Sequence, residues 1–204
     1  MSGNDARLHA PSAARNRDPI WVVLRPELPA RGLVLEVASG SGEHAVHFAE
    51  LAGPGLVFQP SDPDPQARAS IDAWAAASGQ PNILPAIALD AAADVWPIAR
   101  ADAVVCINMI HISPWASTLG LMRGAARVLP LKGLLFLYGP YRRGGEHTSE
   151  SNAALDAELR RMNAQWGVRD LEAVLDVAAS AGFGTPSINQ MPANNLCVFF
   201  RRVR

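Results

Sequence analysis

The stretch Leu33-Val34-Leu35-Glu36-Val37-Ala38-Ser39-Gly40-Ser41-Gly42-Glu43-His44-Ala45-Val46-His47-Phe48-Ala49-Glu50-Leu51-Ala52 decides the fold. Leu33 to Val37 is a brief apolar run of strand length, and the small residues Ala38 to Gly42 follow it directly. Beyond them Ala45, Phe48, Ala49 and Ala52 recur on one helical face, and Gly53-Pro54 stops the helix. A strand, a glycine turn and a helix in that order open a parallel α/β unit.

Downstream, Leu56 to Phe58 reads as the next strand, ending at Gln59-Pro60-Ser61-Asp62, and Pro65 to Ser78 as a helix that buries Ala67, Ile71, Trp74 and Ala75. Ile83 to Leu89 is a third strand, broken by Pro85 and closed by Asp90 ahead of an Ala-rich helix. Ala103 to Ile107 is a continuous apolar run, as a strand covered on both faces requires. A helix around 116–129, a strand at 134–138, helices near 151–162 and 168–181, and strands near 185–191 and 196–201 complete the order. The last two strands are joined by about four residues, Pro192 to Asn195, too few for a parallel crossover, so they pair antiparallel. The expected fold is α/β and Rossmann-like, a mostly parallel sheet with helices on both faces and a C-terminal antiparallel hairpin.

Upstream, residues 1–14 carry turn formers without apolar periodicity and read as a flexible arm, with 15–204 as one domain. Asp18-Pro19 offers an N-cap with proline at the first helical position, followed by Ile20, Trp21, Val23, Leu24 and Leu28. The first 17 residues lack the apolar core of a secretory signal, and no apolar run reaches membrane-spanning length. Cys106 and Cys197 sit in apolar runs and read as core residues in a reducing compartment. With 18 basic against 19 acidic residues in 204, the chain lacks the excess that broad nucleic-acid binding demands. A soluble, cytoplasmic protein is the expectation.

In an open parallel sheet, ligands bind outside the carboxyl ends of the strands. Four such ends carry polar groups here: Glu36 to Gly42, Ser61-Asp62, Asp90-Ala91, and Asn108 to His111. Gly40 and Gly42 admit a ligand close to the backbone, and the next helix turns its free amides toward it. Gly40-x-Gly42-x-x-Ala45 with Asp62 twenty residues beyond Gly42 also satisfies the dinucleotide fingerprint, which keeps NAD in contention. Glu36 argues the other way. A carboxylate there repels a pyrophosphate and attracts a ligand carrying an ammonium and a sulfonium, by about 2–3 kcal/mol at about 6 Å and an effective dielectric of about 20. S-adenosylmethionine has that charge, and Asp62 and Asp90 are placed to accept from its ribose hydroxyls and adenine amino group. The alternative for each is plainer: a tight turn at the glycines, and helix caps at Asp62 and Asp90.

Through residues 34–42 and the later strand-end acids, the sequence resembles class I S-adenosylmethionine-dependent methyltransferases. More narrowly it resembles the methyltransferase-like protein 26 family, also catalogued as a domain of unknown function. That likeness rests on Ala14-Arg15-Asn16-Arg17-Asp18-Pro19-Ile20, Gln59-Pro60-Ser61-Asp62, Ile107-Asn108-Met109-Ile110-His111-Ile112-Ser113-Pro114-Trp115, Leu137-Tyr138-Gly139-Pro140-Tyr141, Trp166-Gly167-Val168-Arg169-Asp170 and Met191-Pro192-Ala193-Asn194-Asn195. It implies a seven-stranded sheet and cofactor contacts from Glu36, Ala38, Ser39, Gly40, Gly42, Asp62, Asp90, Ala91, Asn108 and Met109. It implies no substrate. Ala38 stands where the superfamily usually has its first glycine.

Methyl transfer asks the protein mainly to position a nucleophile, exclude water and sometimes accept a proton. His111, beyond the central strand, is the candidate base, weighed against a packing role. Arg15 and Asn16 are candidates for a lid, and Tyr138, Tyr141, Arg142, Asn194 and Asn195 for acceptor contacts. The pair Arg142-Arg143 suggests an acidic group on the acceptor, against ordinary surface charge. His44 and His47 lack a third ligand at metal spacing and read as helix-face residues, so no metal is expected. The leading reading is an S-adenosylmethionine-dependent methyltransferase with a small-molecule acceptor, without nucleic-acid or membrane partners. Its competitors are a cofactor-binding protein without turnover and an NAD-dependent oxidoreductase. Oligomeric state is not encoded in these motifs.

Overall fold

A computed structural model describes residues 5–204. The glycine turn sits as expected between a strand, β1 (Gly32–Val37), and a helix, α2 (Glu43–Ala52). A helix α1 (Pro11–Leu24) precedes them, and β2 (Leu56–Ser61), α3 (Pro65–Ser78), β3 (Ala103–Ile107), α4 (Trp115–Val128) and β4 (Leu134–Arg143) follow. The two-residue strand β5 (Glu146–His147), α5 (Glu150–Met162), the equally short β6 (Arg169–Asp170), α6 (Leu171–Ser180), β7 (Ser187–Met191) and β8 (Asn195–Arg201) complete the order.

The strands lie side by side as β2-β1-β3-β4-β8-β7. β1, β2, β3 and β4 are mutually parallel where they pair, and β8 runs antiparallel to both β4 and β7. This is the expected α/β architecture, with its antiparallel hairpin inserted beside β4. The expected strand at 83–89 is reduced to two parallel bridges on the outer edge of β2, Phe58 with Ile83 and Ser61 with Ile87. Pro85 lies between them and has no N–H to give the ladder; its carbonyl instead accepts from Gln59 Nε2 at 2.7 Å.

All five residues of β3 are buried, and their alternation divides the core. Val104 and Cys106 pack with Leu121, Met122 and Ala125 of α4 and Leu171, Val174 and Ala178 of α6. Ala103, Val105 and Ile107 pack on the other face with Ile20 and Leu24 of α1 and Phe48 and Ala49 of α2. Both cysteines are buried and unpaired. Among the described residues no helix is long and apolar enough to cross a membrane.

Two elements differ from the sequence reading. The Ala-rich helix expected after Asp90 is absent, and residues 91–102 form turns and bends. Trp96, buried, occupies that layer by lying on Gly124 of α4, where an added Cβ would fall inside the indole ring. Gly124→Ala therefore forces the ring out or the helix away, and we expect a loss of about 1–3 kcal/mol, read as a fall of about 3–10 °C in Tm by calorimetry. An unchanged Tm refutes the packing account.

The second difference is at the start. α1 begins at Pro11, seven residues before the expected cap at Asp18, with Pro19 inside it. Part of the stretch read as an arm is thus helical, and Ala13 is buried. The reason is a distant partner. Glu43 accepts the Ala10 N–H at 2.7 Å, while Ser70 Oγ accepts from Leu8 N at 2.7 Å and Trp74 Nε1 donates to Leu8 O at 2.9 Å. Asp18 instead meets His47 Nε2 at 2.8 Å. Residues 1–4, within the expected arm, lie outside the described residues.

Candidate functional site

The carboxyl ends of β1, β2, β3 and β4 converge on two neighbouring cavities. The smaller, about 220 Å³, is lined by Val37, Ala38, Gly40, Asp62, Pro63, Leu89, Asp90, Ala91, Ile107, Met109, Ile112, Ser113 and Ser117. It draws on each of the four strand ends singled out in the sequence. The larger, about 780 Å³, shares Ile112 with it and is walled by α1 (Ser12, Arg15, Asn16, Pro19), α5 (Ser151, Asn152, Leu155) and the turn before β8 (Pro192, Ala193, Asn195). Asn108, His111, Tyr138 and Pro140 complete it.

The chain is bent sharply where the cavities meet the sheet. Ala38 and Asn108, each just past a strand end, take left-handed φ values of 58° and 62°. In a residue other than glycine that region is disfavoured by roughly 1–2 kcal/mol, so the surrounding structure must hold it. For Ala38 the hold comes from its successor, since the Ser39 N–H donates to Ser61 O at 2.9 Å. For Asn108 it is its own N–H, which donates to Tyr138 O at 2.9 Å. Ala38 therefore adopts the backbone that a glycine would take, and its methyl group narrows the loop without changing the loop's path.

Behind the loop, Glu36 is buried and its Oε2 lacks a hydrogen-bond partner. Burial pushes its carboxyl up to about 7, with the Asp62 charge adding to the shift against a hydrogen bond from Ser39. The Ser39 and Ser61 hydroxyls also donate to the Glu36 backbone carbonyl, at 3.3 and 2.7 Å. Glu36 immediately precedes Val37, which lines the smaller cavity, so the buried Oε2 without a partner lies one residue from that wall. Gly40 has a left-handed φ of 57° and open space where its Cβ would lie, so the loop is accessible from the cavity. Gly42, also left-handed at 92°, lies tight against α3, where a Cβ would fall 2.7 Å from the Ile71 Cα.

Asp62 and Asp90 carry both of the roles weighed for them. Asp62 Oδ2 accepts from Gly40 N and Oδ1 from Asp64 N, both at 3.0 Å. Burial raises its pKa and the two N–H groups lower it, with burial the larger effect. Asp90 Oδ1 accepts from Ala92 N at 2.8 Å, capping the turn that replaces the expected helix. Each still faces the smaller cavity, Asp62 tied to the glycine loop and Asp90 exposed.

In the larger cavity His111 packs against Gly139, and burial with the Arg169 charge lowers its pKa to about 4. It is neutral at neutral pH and a weak base. His44, one helix away, is likewise held neutral by burial, to about 4, and its Nε2 bonds Asn16 Oδ1 at 2.7 Å. Asn16 in turn faces the Tyr138 hydroxyl, as does Asn195, and both amides counter the upward push of burial on that phenol. His44 thus fixes the amide that the cavity presents.

The structure gathers Arg15, Asn16, Asn108, His111, Tyr138 and Asn195 around one space and leaves other candidates outside it. Tyr141 is buried in the core on the α4 and α6 side of the sheet. Arg142 is paired with Asp170 at 2.6 Å. Arg143 is exposed, and Asn194 contributes its carbonyl to Asn152 Nδ2 at 3.2 Å. The sequence reading missed Ser12, Ser151, Asn152 and Leu155, which no local pattern marks. It also missed Arg169, whose guanidinium donates to Ser113 O at 2.8 Å and Gln165 O at 2.6 Å, while Gly167 N donates to His111 O at 2.9 Å. The segments 107–115 and 166–170, both singled out in the sequence, are therefore one physical unit that clamps His111.

Residues 7–202 match the model of a family described as "Protein of unknown function (DUF938)". Among solved structures, the chain is similar to an O-methyltransferase family protein from Burkholderia thailandensis (TM-score 0.79, 16% identity, 94% of this chain and 57% of that one). It is similar to an O-methyltransferase family 2 protein from Planctomyces limnophilus in complex with apigenin (0.77, 19%, 94% and 60%). It is also similar to human N-acetylserotonin methyltransferase in complex with SAM (0.74, 14%, 95% and 53%). The chain spans between half and two-thirds of the length of these proteins, and at such identities the likeness is one of fold.

Proposed function

The chain belongs to the DUF938 family of proteins of unknown function, and we propose that it is an S-adenosylmethionine-dependent methyltransferase whose acceptor is a small molecule. The observation that carries this reading is the buried, unpartnered Glu36 carboxylate beside a cavity ringed by Ala38, Gly40, Asp62, Asp90, Ala91 and Met109. A cationic cofactor with an adenosine end fits that donor set. Asp62 and Asp90 would serve the adenosine, the loop backbone would approach closely, and Glu36 would answer the positive charge. The similar structures, human N-acetylserotonin methyltransferase in complex with SAM and the Planctomyces limnophilus protein in complex with apigenin, support the reading by analogy of fold. The narrower resemblance to methyltransferase-like protein 26 belongs to the same proposal.

When bound, the cofactor supplies a methyl carbon already activated by its sulfonium. The chain's own contribution is then positional. Ile112 forms the shared wall of the two cavities, and Asn108, Asn16, Tyr138 and Asn195 offer neutral hydrogen bonds to an acceptor. His111 can take a proton only weakly, so the site favours acceptors that need little help in losing one. The larger cavity is of the size small-molecule sites occupy. With a formal net charge of −1, the chain offers no general attraction for nucleic acid.

Calorimetric titration with S-adenosylhomocysteine and, separately, NAD tests the proposal. Micromolar binding of the first and none of the second is the expected result. Binding of NAD alone overturns it in favour of an oxidoreductase. Binding of S-adenosylhomocysteine without transfer of labelled methyl to any component of a cell extract leaves a cofactor-binding protein.

A further inference from the structure

The larger cavity has one formal charge in its wall. Of its fifteen lining residues only Arg15 is ionised at neutral pH, because His111 is held neutral and no Asp or Glu takes part. The other polar groups are amides, hydroxyls and a phenol: Asn16, Asn108, Asn152, Asn195, Ser12, Ser151 and Tyr138. Between them lie Pro19, Ile112, Pro140, Leu155, Pro192 and Ala193, so much of the surface is apolar.

Arg15 is also free of an internal counterion among the described residues. Asp18, one turn along α1, is engaged by His47 of α2 rather than by Arg15. Of the two other arginines raised by the sequence, Arg142 is paired with Asp170 and Arg143 is exposed. The sequence reading weighed an acidic acceptor group at Arg142-Arg143 against ordinary surface charge, and neither of that pair lines the larger cavity.

We infer that the larger cavity selects an apolar small molecule bearing a single anionic group, and that Arg15 is the residue that recognises it. This rests on the reading of that cavity as the acceptor site. An exposed arginine in the lining of a mostly apolar pocket discriminates in two directions: it meets a carboxylate or phosphate through paired N–H donors, and it repels an ammonium that would find no carboxylate in the wall. The geometry of Asn16 keeps this end of α1 in place, since His44 and the Tyr138 hydroxyl hold its amide from two sides. Arg15 acts by binding and orientation; no proton or bond changes at it.

The test uses three probes with one apolar body: 2-naphthoate, 2-naphthylmethanol and 2-naphthylmethylammonium, titrated by calorimetry into the full chain with and without saturating S-adenosylhomocysteine. We expect 2-naphthoate to bind roughly tenfold or more tighter than either of the others. Arg15→Gln should bring it down to the level of the alcohol while leaving the alcohol unchanged. Arg15→Lys, which keeps the charge, should retain most of the preference, so that loss of charge is told apart from collapse of the cavity. Equal affinities, a preference for the ammonium, a preference untouched by Arg15→Gln, or binding by none of the three overturns the inference. The cofactor titration reports separately. If S-adenosylhomocysteine fails to bind while the naphthoate preference stands, only the methyltransferase reading falls; if it binds and no charge preference exists, only the role of Arg15 falls.

Discussion

Glu36→Gln is expected to make the ligand-free protein more stable at pH 8 and to weaken S-adenosylhomocysteine binding about 30-fold. Both effects come from one desolvated carboxyl. Its pKa in the folded chain, about 7, lies above the ordinary 4.5. Below pH 4.5 the acid is protonated in folded and unfolded chains alike and nothing is lost. As pH rises from there the unfolded chain ionises first, so folded stability falls, and the loss is complete above about pH 7. A difference of that size corresponds to a few kcal/mol. The amide removes the ionisation but still buries a polar group, so the expected gain at pH 8 is about 1–3 kcal/mol by urea titration, shrinking toward zero near pH 5. A ligand that sets an ammonium group beside Glu36, as S-adenosylhomocysteine would, reverses the sign by making the ionised form the favoured one. Binding to the unmodified protein should therefore release a proton between about pH 5 and 7, visible as a dependence of calorimetric heat on buffer ionisation enthalpy, and Glu36→Gln should abolish it. A 30-fold loss is about 2 kcal/mol, the scale of one partly screened charge pair. Equal affinity in the variant would falsify the charge argument.

Asp62→Ala is expected to reduce S-adenosylhomocysteine affinity by a comparable or larger factor, about 30–100-fold. The carboxylate holds Gly40 and Asp64 by their N–H groups, and it faces the cavity. Removing it loosens the glycine loop and deletes an acceptor for the ligand together. Hydrogen bonds to a charged group contribute about 1.5–3 kcal/mol each. Asp62→Asn separates the two roles. It retains one acceptor oxygen and the side-chain shape, so it should preserve most of the thermal stability and still bind weakly. The pair is read by calorimetric affinity against Tm: a fall in Tm with unchanged affinity would assign Asp62 to the loop alone.

The parts of the molecule that were legible in the sequence are those whose causes are local. β1, the glycine turn and α2 declare themselves by period and by small residues, and the apolar run at Ala103 to Ile107 is the buried central strand it reads as. The four polar strand ends could be named because parallel topology brings such ends together. What was not legible depends on partners far along the chain. α1 starts at Pro11 because Glu43, 33 residues away, receives Ala10. No helix forms after Asp90 because Trp96 needs the space above Gly124. Arg142 looks free in sequence and is not, since Asp170 lies 28 residues on. Residues of α5 enter the larger cavity without any signature, since a serine, an asparagine and a leucine are common on any amphipathic helix.

The walls of the two cavities are distributed unequally along the chain. Every residue lining the smaller one falls between Val37 and Ser117, whereas the larger needs Ser12 at one end and Asn195 at the other. In the order of synthesis the first set is complete well before α5 and the turn ahead of β8 have been translated. The larger cavity therefore cannot be complete before residues as late as Asn195 have been made, whereas every residue that rings Gly40 and Asp62 is present by Ser117.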